Sequence, residues 1–456
     1  MKFFTLFIFS AFLSSFLQIG SLKSEEIIIK NVKYLKPGMY EWSEVVDIAI
    51  GSGKIKSILP IQKKRHNDLK EKYLIPSFCD SYVTLGADSL GFQNNYSGIK
   101  KALQSFLLHG FTKIQSIGDG YWVKAIKDEI DKGKILGPEI IISERPIIIK
   151  SPETENLPNQ LYYVAKDKES LEEEVKNQIK KKSRLINIFH RFDKNTTYNY
   201  DAKILNQIVK LANTENKEIL VSAFADRQSI IESLSSGVRA IAHPIGTDVQ
   251  EDFTPLYSNE LKWIPLFNVY KFQKNQGKKE LLQDFQYMKE KSPFFKANYS
   301  ELMEKSLKQT NLTPEDQILA NKEYTSYISF FEKNQALSNK MILGSGSGNF
   351  FSFPGISGLM ELKVIFDVTL DMKSILKIAT ENSCSFLSSE KEGTIQEGNK
   401  ANLLVLKKSP FSGFDNLFSI QEIYKNGKKF LPENQKETTT EIKNIKKRKK
   451  DGKKKK

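Results

Sequence analysis

Short apolar runs alternate with amphipathic stretches through most of the chain, and this rhythm predicts β-strands that alternate with α-helices. Strands separated by helices form parallel sheets, and eight strand–helix repeats close a barrel. The pattern after Pro76 therefore predicts an α/β protein whose residues 76–390 form a (β/α)8 TIM barrel. The predicted barrel strands are Phe78–Thr84, Thr112–Ser116, Glu139–Ser143, Arg184–Phe189, Glu218–Phe224, Ala240–His243, Trp263–Val269 and Lys340–Leu343.

Apolar runs without helices between them lie on both sides of the predicted barrel. Strands that follow one another without a helical crossover pair directly. Residues 25–75 and 391–432 are therefore predicted to form one small β-sandwich, built from both chain ends. Its predicted strands are Ile27–Ile29, Val45–Ile50 and Lys54–Leu59 before the barrel, and runs within Gly393–Leu406 and Ile420–Phe430 after it.

Residues 271–338 interrupt the strand–helix rhythm before the last predicted barrel strand. The segment is polar, helical in pattern and rich in Lys, Gln and Glu. Insertions of this length form lids over active sites or helical pairs at the periphery. We expect a helical excursion and interpret it as surface decoration.

The first residues resemble a secretory signal. Met1-Lys2 precedes the apolar run Phe3–Leu17, and small residues follow near Gly20. A membrane span normally needs about 20 apolar residues, so an uncleaved anchor is the less favoured alternative. Residues 1–24 are therefore predicted to be a signal peptide, and the protein is expected to be exported to the periplasm, the cell envelope or the exterior.

The charge of the chain is concentrated at its carboxyl end. The formal net charge is +15, and residues 443–456 contain ten basic residues and one acidic residue. Residues 433–456 are predicted to be a disordered tail, because they contain almost no apolar residues. An anionic membrane surface or a polyanion is the expected partner of this tail, and a solvated tail without a partner is the alternative. The folded body carries too little excess charge to predict a specific nucleic-acid site.

Two cysteines, Cys79 and Cys384, are present. Two thiols exclude a disulfide-rich scaffold and every thiolate-rich zinc or iron–sulfur site. An exported chain meets an oxidising compartment in which the two could pair. The sequence leaves this open, and two buried free thiols are the simpler interpretation.

The carboxy-terminal run Gly393–Leu406 resembles the closing motif of the amidohydrolase superfamily, in particular of imidazolonepropionase-like and other cyclic-amide hydrolases. Further landmarks of that superfamily occur in order along residues 25–430. The resemblance implies a barrel with a flanking β-sandwich and hydrolysis of amide-type bonds. The landmarks are Leu74–Asp80, His109–Thr112, Ser236–Val238, Leu343–Ser345 and Ile423–Lys428.

The resemblance also implies a metal site at the carboxyl ends of the barrel strands, where a cation polarises the substrate carbonyl and activates water. Family members use a His-x-His pair on strand one, a lysine or carboxylate on strand four, histidines on strands five and six, and an aspartate on strand eight. A protein zinc site needs at least three ligands, so we expect no cofactor where the family would imply zinc or another divalent metal. The corresponding residues here are Tyr82 and Thr84, Asn187, Ser222, His243 and Gly346, of which only His243 keeps a ligand residue type.

Other groupings of the histidines are conceivable. Of the remaining three, only His190 is expected to face the same mouth as His243. Ser222 and His243 would form a nucleophile and base if Asp248 or Asp226 oriented the imidazole. A lone histidine at a strand end is more often a hydrogen-bonded structural side chain. The four histidines are His66, His109, His190 and His243.

The glycine-rich run Gly344–Gly348 has the composition of a phosphate-binding loop. It lacks the Gly-Lys-Thr continuation of a nucleotide loop, and it lies where the family has its own glycine-rich turn. We therefore do not expect it to bind phosphate.

We expect an exported protein of amidohydrolase fold that has lost metal-dependent catalysis and binds an unknown small molecule or protein. The alternative is a hydrolase of carbon–nitrogen bonds other than peptide bonds, with an unconventional site around His243, His190 and Asp248. A third hypothesis is a structural surface protein that acts through its basic tail. Without a cation, Tyr82 and Phe224 are expected to close the mouth with apolar contacts, because an empty cavity is destabilising.

Overall fold

The computed structural model describes most of the chain between residues 26 and 430. The predictions made for the signal peptide, residues 1–24, and for the tail, residues 433–456, lie outside the described residues. The described ranges are 26–61, 72–90, 93–120, 122–150, 154, 162–181, 185–190, 202–223, 227–249, 256, 261–308, 312–388 and 390–430.

The described residues form strands and helices in alternation, framed by strands at both ends. The strands are β1 Ile27–Leu35, β2 Trp42–Gly51, β3 Lys54–Pro60, β4 Lys72–Pro76, β5 Phe78–Val83, β6 Phe111–Ser116, β7 Glu139–Ile142, β8 Ile147–Ile149, β9 Tyr163–Ala165, β10 Leu185–His190, β11 Glu218–Ala223, β12 Ala240–Ala242, β13 Lys262–Ile264, β14 Leu403–Leu406, β15 Ile420–Lys425 and β16 Lys428–Phe430. The helices are α1 Tyr96–Leu108, α2 Val123–Asp131, α3 Lys168–Lys180, α4 Ala202–Asn213, α5 Arg227–Ser235, α6 Phe267–Lys274, α7 Lys279–Lys291, α8 Pro293–Lys308, α9 Pro314–Lys333, α10 Ile356–Thr369, α11 Met372–Lys377 and α12 Ser383–Leu387. Short 3-10 or π-helical turns lie at Thr247–Val249, Gln335–Lys340, Ile378–Asn382, Pro410–Ser412 and Phe414–Phe418.

Both ends of the chain contribute to one seven-stranded sheet, in the order β16-β15-β14-β4-β1-β2-β3. The alternation of side chains along β14 explains how this sheet is buried on both faces. Leu403 and Val405 pack with Val32 and other residues of β1 to β4, whereas Leu404 and Leu406 join the main core. The described strands at the two chain ends therefore lie in one sheet, and whether they form the predicted sandwich stays a prediction. Within the predicted run Gly393–Leu406, only β14 is a strand.

The middle of the chain forms two parallel sheets with helices between their strands. One has the order β5-β6-β7 and the other β13-β12-β11-β10-β8-β9. The segment 341–347 connects them, because Ile342 N donates to Trp263 O of β13 at 3.0 Å and Ser81 N of β5 donates to Leu343 O at 2.7 Å. The α/β prediction is confirmed. Strands β7 and β8 belong to different sheets, so the described residues do not form a continuous eight-stranded ring.

Several predicted boundaries are wrong for local reasons. The predicted strand Trp263–Val269 ends at Ile264, since Leu266 adopts a left-handed conformation and α6 begins at Phe267. The predicted strand Lys340–Leu343 makes bridges to both neighbours but no regular ladder. Strands β8 and β9 were not predicted, because three residues are too few to show a period.

Residues 271–338 are helical as predicted, but their interpretation as surface decoration is wrong. Phe285 and Phe295 of α7 and α8 contact Phe353, with ring centroids 6.0 and 5.0 Å apart. Phe330 and Phe331 of α9 lie edge-on to Trp263 and are fully buried. The aromatic side chains of this excursion are therefore part of the core.

Cys79 of β5 and Cys384 of α12 form a disulfide, with Cα atoms 5.2 Å apart. The interpretation as two free thiols is therefore wrong. The physical reason is that α12 packs directly on β5, which brings together two residues 305 positions apart in the sequence.

No helix within the described ranges is long and apolar enough to cross a membrane.

Candidate functional site

Three of the residues that the resemblance assigns to ligand positions lie on one face of the parallel strands. Leu185 of β10 and Leu220 of β11 belong to an inner cluster with Tyr82 of β5. Since side chains alternate along a strand, Asn187 in the middle of β10 and Ser222 near the end of β11 lie on the same inner face. All three side chains are buried.

Tyr82, Ser222 and Asn187 form a directed chain of hydrogen bonds. Ser222 Oγ donates to Asn187 Oδ1 at 2.9 Å, and Asn187 Nδ2 donates to Ile117 O at 3.1 Å. The single proton of Ser222 is thereby used, so the Tyr82 hydroxyl donates to Ser222 Oγ across 2.9 Å. Burial raises the pKa of Tyr82 to about 12, which keeps this donor protonated.

Gly346 occupies the strand-eight position at which the resemblance implies an aspartate. Its φ is +63°, and a Cβ there would lie 2.5 Å from Val269 Cγ2 and 3.3 Å from Asn349 Nδ2. Both the backbone conformation and the lack of space therefore disfavour any side chain at this position.

Thr84, the second strand-one position, is covered by the same loop. Its N–H donates to Ser347 O at 2.8 Å. A Cβ at Gly348 would lie 2.3 Å from Thr84 O, so this glycine allows the loop to approach the strand closely. Thr84 is held through its backbone beside the strand-eight segment.

Three N–H groups of the glycine-rich run donate to acceptors inside the protein. Ser345 N donates to Asp80 Oδ1 at 2.9 Å, Gly346 N to Tyr82 O at 3.1 Å and Ser347 N to Ser345 Oγ at 3.0 Å. A phosphate cradle requires N–H groups that point at a ligand. These three N–H groups are therefore already bonded within the protein.

His243 lies directly after β12, in an aromatic environment. Its ring is 5.1 Å from Tyr270 and 5.7 Å from Tyr327, and the two tyrosine rings are 5.3 Å apart, all in edge-to-face geometry. Its Nδ1 lies 2.5 Å from Pro244 O, and because a carbonyl only accepts, Nδ1 carries the proton. Trp263 Nε1 donates to His243 O at 2.7 Å. Burial raises the pKa of Tyr270 and of Tyr327.

The structure does not bring His190 to this face. His190 is three positions beyond Asn187 on β10, which places it on the opposite side of the strand. There its Nε2 lies 2.8 Å from Glu232 Oε2 of α5, and both side chains are buried. This placement could be predicted from the sequence, because residues 187 and 190 are an odd number of positions apart and side chains alternate along a strand.

The other candidates for an unconventional site, Ser222 and Asp248, make other contacts. The Ser222 hydroxyl donates its hydrogen bond to Asn187 Oδ1, so it is not oriented toward His243 as a nucleophile toward its base. Asp248 is exposed in a 3-10 turn, and its main-chain oxygen accepts from Arg227 Nε at 2.8 Å. Asp226 and Phe224 lie outside the described residues, as does His66. Tyr82 reaches Ser222 through its hydroxyl, so its contact there is polar rather than apolar.

Two buried carboxyl groups near this face were not singled out from the sequence. Burial raises the pKa of Asp80 to about 7 and that of Glu361 to about 8, and Asp80 contributes to the shift of Glu361. Glu361 accepts from Phe267 N and Asn268 N, at 3.0 and 2.6 Å, and so satisfies the first N–H groups of α6. Asp80, two residues before Tyr82, was recognisable as part of the strand-one motif, whereas nothing in the sequence indicated Glu361.

Three of the residues at the expected ligand positions, Tyr82, Ser222 and Asn187, are uncharged. A phenol, a hydroxyl and an amide that bond to one another supply no anionic ligand, and the strand-eight position has no side chain. Among the residues that the structure describes, no group of three or more His, Cys, Asp or Glu side chains converges.

Comparison with known proteins identifies the relationship. A family model described as the amidohydrolase family matches residues 75–430. A Xaa-Pro dipeptidase with methionine bound in its active site has 16% identity and a TM-score of 0.69, covering 89% of this chain and 100% of that chain. A putative prolidase from Bifidobacterium longum has 18% identity and a TM-score of 0.68, covering 90% and 95%. Ochratoxinase of A. niger has 15% identity and a TM-score of 0.65, covering 90% and 96%. None of the curated proteins matches in sequence.

Proposed function

Because the chain belongs to the amidohydrolase family, we propose that it is an exported member that has lost metal-dependent catalysis and acts by binding a small molecule or a protein. The observation that carries this proposal is the hydrogen-bond chain from Tyr82 through Ser222 to Asn187. The residues at three expected ligand positions are therefore neutral groups that form hydrogen bonds with one another.

We propose the barrel and sandwich of the family as the complete architecture. The likeness to solved amidohydrolase structures supports it, since it extends over about nine tenths of the chain. The bonds of segment 341–347 to β5 and β13 support it as well, because they lie where an eighth strand would close the ring.

The strand-eight position adds a second, independent argument for lost catalysis. In a metal-dependent hydrolase a carboxylate at this position handles the proton of the attacking water. Gly346 cannot take that role, and the contacts of its would-be Cβ leave no space for a side chain that could. A single substitution would therefore not restore the proton-transferring group.

Export is supported by the disulfide. Stable disulfides are typical of oxidising compartments and rare where thiol reductants dominate. The bond between Cys79 and Cys384 is buried, as expected for a structural rather than a catalytic disulfide. The predicted signal peptide and this bond therefore favour the same location.

Binding through the basic tail is part of the proposal. Lysines near an anionic membrane surface contribute about 1 kcal/mol each at low ionic strength. Deletion of residues 436–456 should therefore abolish binding to vesicles that contain anionic lipid and leave the folded body intact. Unchanged vesicle binding after the deletion would remove the tail from the proposal.

Metal loading tests the loss of catalysis. The untagged protein without residues 1–24 is incubated separately with Zn²⁺, Mn²⁺ and Fe²⁺ and freed of excess ion by gel filtration, and bound metal is measured by mass spectrometry. We expect substoichiometric metal in each case, with no difference between the wild type and His243→Ala. About one ion per chain that is lost in His243→Ala would overturn the proposal. It would favour the alternative, hydrolysis of carbon–nitrogen bonds other than peptide bonds.

A further inference from the structure

Three basic residues stand at the amino ends of neighbouring strands. Arg239 comes directly before β12, Lys262 begins β13, and Lys340 comes directly before segment 341–347. The backbone places them side by side, because Lys262 N donates to Arg239 O at 3.0 Å and the residue after Lys262 forms a parallel β-bridge with the residue after Lys340. Since parallel strands begin at one edge of a sheet, these residues lie at the end of the strands opposite to His243, which follows β12.

A fourth cation, Lys377, comes from the end of α11. Asn382, in the π-helical turn that follows Lys377, donates through Nδ2 to the main-chain oxygens on either side of Lys340, at 3.3 and 2.9 Å. These bonds tie the end of α11 to the turn that ends at Lys340. Lys340 and Lys377 therefore lie at the same edge, and we call Arg239, Lys262, Lys340 and Lys377 the basic cluster.

Lys262 has an electropositive environment. Its side chain is half-buried, as are those of Arg239, Lys340 and Lys377. Burial, and after it the charges of these three residues, lower the pKa of the Lys262 ammonium group. Like charges in a partly buried site repel each other more strongly than in open water, since solvent screens them less. A bound anion would remove this repulsion.

The carboxylates of the neighbouring elements have partners of their own. Glu218 Oε1 of β11 lies 3.4 Å from Arg239 Nε, and Glu381 Oε2 accepts from a tyrosine hydroxyl at 2.5 Å. Among the residues that the structure describes, no carboxylate forms an ion pair with the ammonium group of Lys262 or of Lys377. These two ammonium groups can therefore bind a ligand without losing a partner in the protein.

The basic cluster is positioned before any ligand arrives. Arg239 Cζ lies 5.8 Å from the centre of the Phe386 ring, and Phe386 of α12 is buried. This contact and the backbone bonds of Lys262 and Lys340 restrict where the cations can go. A preformed site lowers the entropic cost of binding.

From this arrangement we infer that the basic cluster binds a phosphate group, either as the free ion or as the monoester of a small molecule. A phosphoryl group carries about −1.5 to −2 charge at pH 7 and has three acceptor oxygens, so it can contact Lys262 and Lys377 together. A monovalent anion such as acetate offers less charge to the same cations. This site goes beyond the proposed function, because it lies at the other end of the strands and does not depend on the basic tail.

Inorganic phosphate, glycerol phosphate and acetate are the probes, compared at equal low ionic strength. Isothermal calorimetry on the protein without residues 1–24 should show saturable phosphate binding, with acetate weaker by at least about tenfold. Glycerol phosphate should compete with inorganic phosphate, and the tighter of the two identifies the source of the phosphate group. Equal binding of acetate and phosphate, or no saturable binding of either phosphate compound, would overturn the inference.

Variants assign the binding to the basic cluster. Lys262→Met and Lys377→Met should each weaken phosphate binding by at least about tenfold, because each removes a charge-assisted hydrogen bond. The control, Lys305→Met, removes the same charge from an exposed position on α8, where Lys305 pairs with Glu301. Only variants with native circular dichroism are scored. Undiminished binding in either cluster variant, or equal weakening in the control, would contradict the inference, because the phosphate would then bind through the general charge of the chain.

Thermal unfolding gives a second readout. Without phosphate, Lys262→Met should unfold at a higher temperature than the wild type, because the substitution removes repulsion within the basic cluster. Phosphate stabilises many proteins by exclusion from their surface, so the relevant quantity is the difference between wild type and variant. Phosphate should raise the unfolding temperature of the wild type and of Lys305→Met more than that of Lys262→Met. Equal shifts in all three proteins would overturn the inference.

Discussion

Removal of the disulfide provides a quantitative test of the fold. Cys79→Ala combined with Cys384→Ala deletes the bond without leaving a reactive thiol. The bond closes a loop of 305 residues, for which the chain-entropy relation gives about 6 kcal/mol. Measured disulfide contributions reach about 5 kcal/mol, so we expect the double variant to lose about 3–5 kcal/mol of unfolding free energy.

Urea unfolding measures this loss. The fluorescence of Trp263, which is fully buried, should change when the core opens. The double variant should unfold at lower urea than the wild type, and reductant should shift the wild type toward the variant while leaving the variant unchanged. Coincident unfolding curves for wild type and variant, or two free thiols per wild-type chain in urea, would refute the reasoning.

Three further outcomes follow from individual contacts. Gly346→Ala should cost about 2–4 kcal/mol, more than Gly398→Ala, because both have positive φ but a Cβ at Gly398 meets nothing within 4 Å. Glu392→Gln should cost about 3–5 kcal/mol in urea unfolding, because it takes the nearest carboxylate from the buried ammonium of Lys113. Between about pH 4 and 7, the free energy of unfolding should fall less steeply in Asp80→Asn than in the wild type. The raised folded-state pKa of Asp80 stabilises at low pH, and this contribution is lost as pH rises.

Each of these outcomes has a control. Glu390→Gln removes the exposed end of a pair with Lys400 and should cost less than about 1 kcal/mol. Equal effects at Glu390 and Glu392 would contradict the importance of burial. Equal costs at Gly346 and Gly398 would mean that backbone strain alone, and not lack of space, excludes a side chain. A pH profile that is the same with and without the Asp80 carboxyl would show that this group does not titrate in the range.

Part of the candidate site could be predicted because strand order and side-chain alternation determine it. The family resemblance assigned Tyr82, Asn187 and Ser222 to the carboxyl ends of parallel strands, which meet at one edge, and the three side chains form hydrogen bonds there. The same alternation places His190 on the other face, where its ring lies beside Glu232, and the expectation that it faces the mouth was therefore wrong.

Other features depend on tertiary contacts that no local pattern reveals. The pairing of Cys79 with Cys384 requires α12 to lie on β5. The sequence pattern of residues 271–338 is typical of amphipathic helices on a surface. Their aromatic side chains are buried because they pack against Trp263 and Phe353, which lie elsewhere in the sequence. Glu361 accepts hydrogen bonds from the first N–H groups of α6 because that helix begins beside it. The start of α6 depends on the left-handed conformation of Leu266, which no propensity scale predicts.

The seven-stranded sheet has a consequence for biosynthesis. Strand β4 pairs with β1 on one side and with β14 on the other. The second edge of β4 therefore stays unpaired until the described α-helices α1 to α12, which all precede β14, have been synthesised. An open strand edge invites pairing with other nascent chains. Truncation before Leu403 should therefore yield aggregates rather than a smaller folded protein, and a secretion pathway that keeps the chain unfolded until release would protect it.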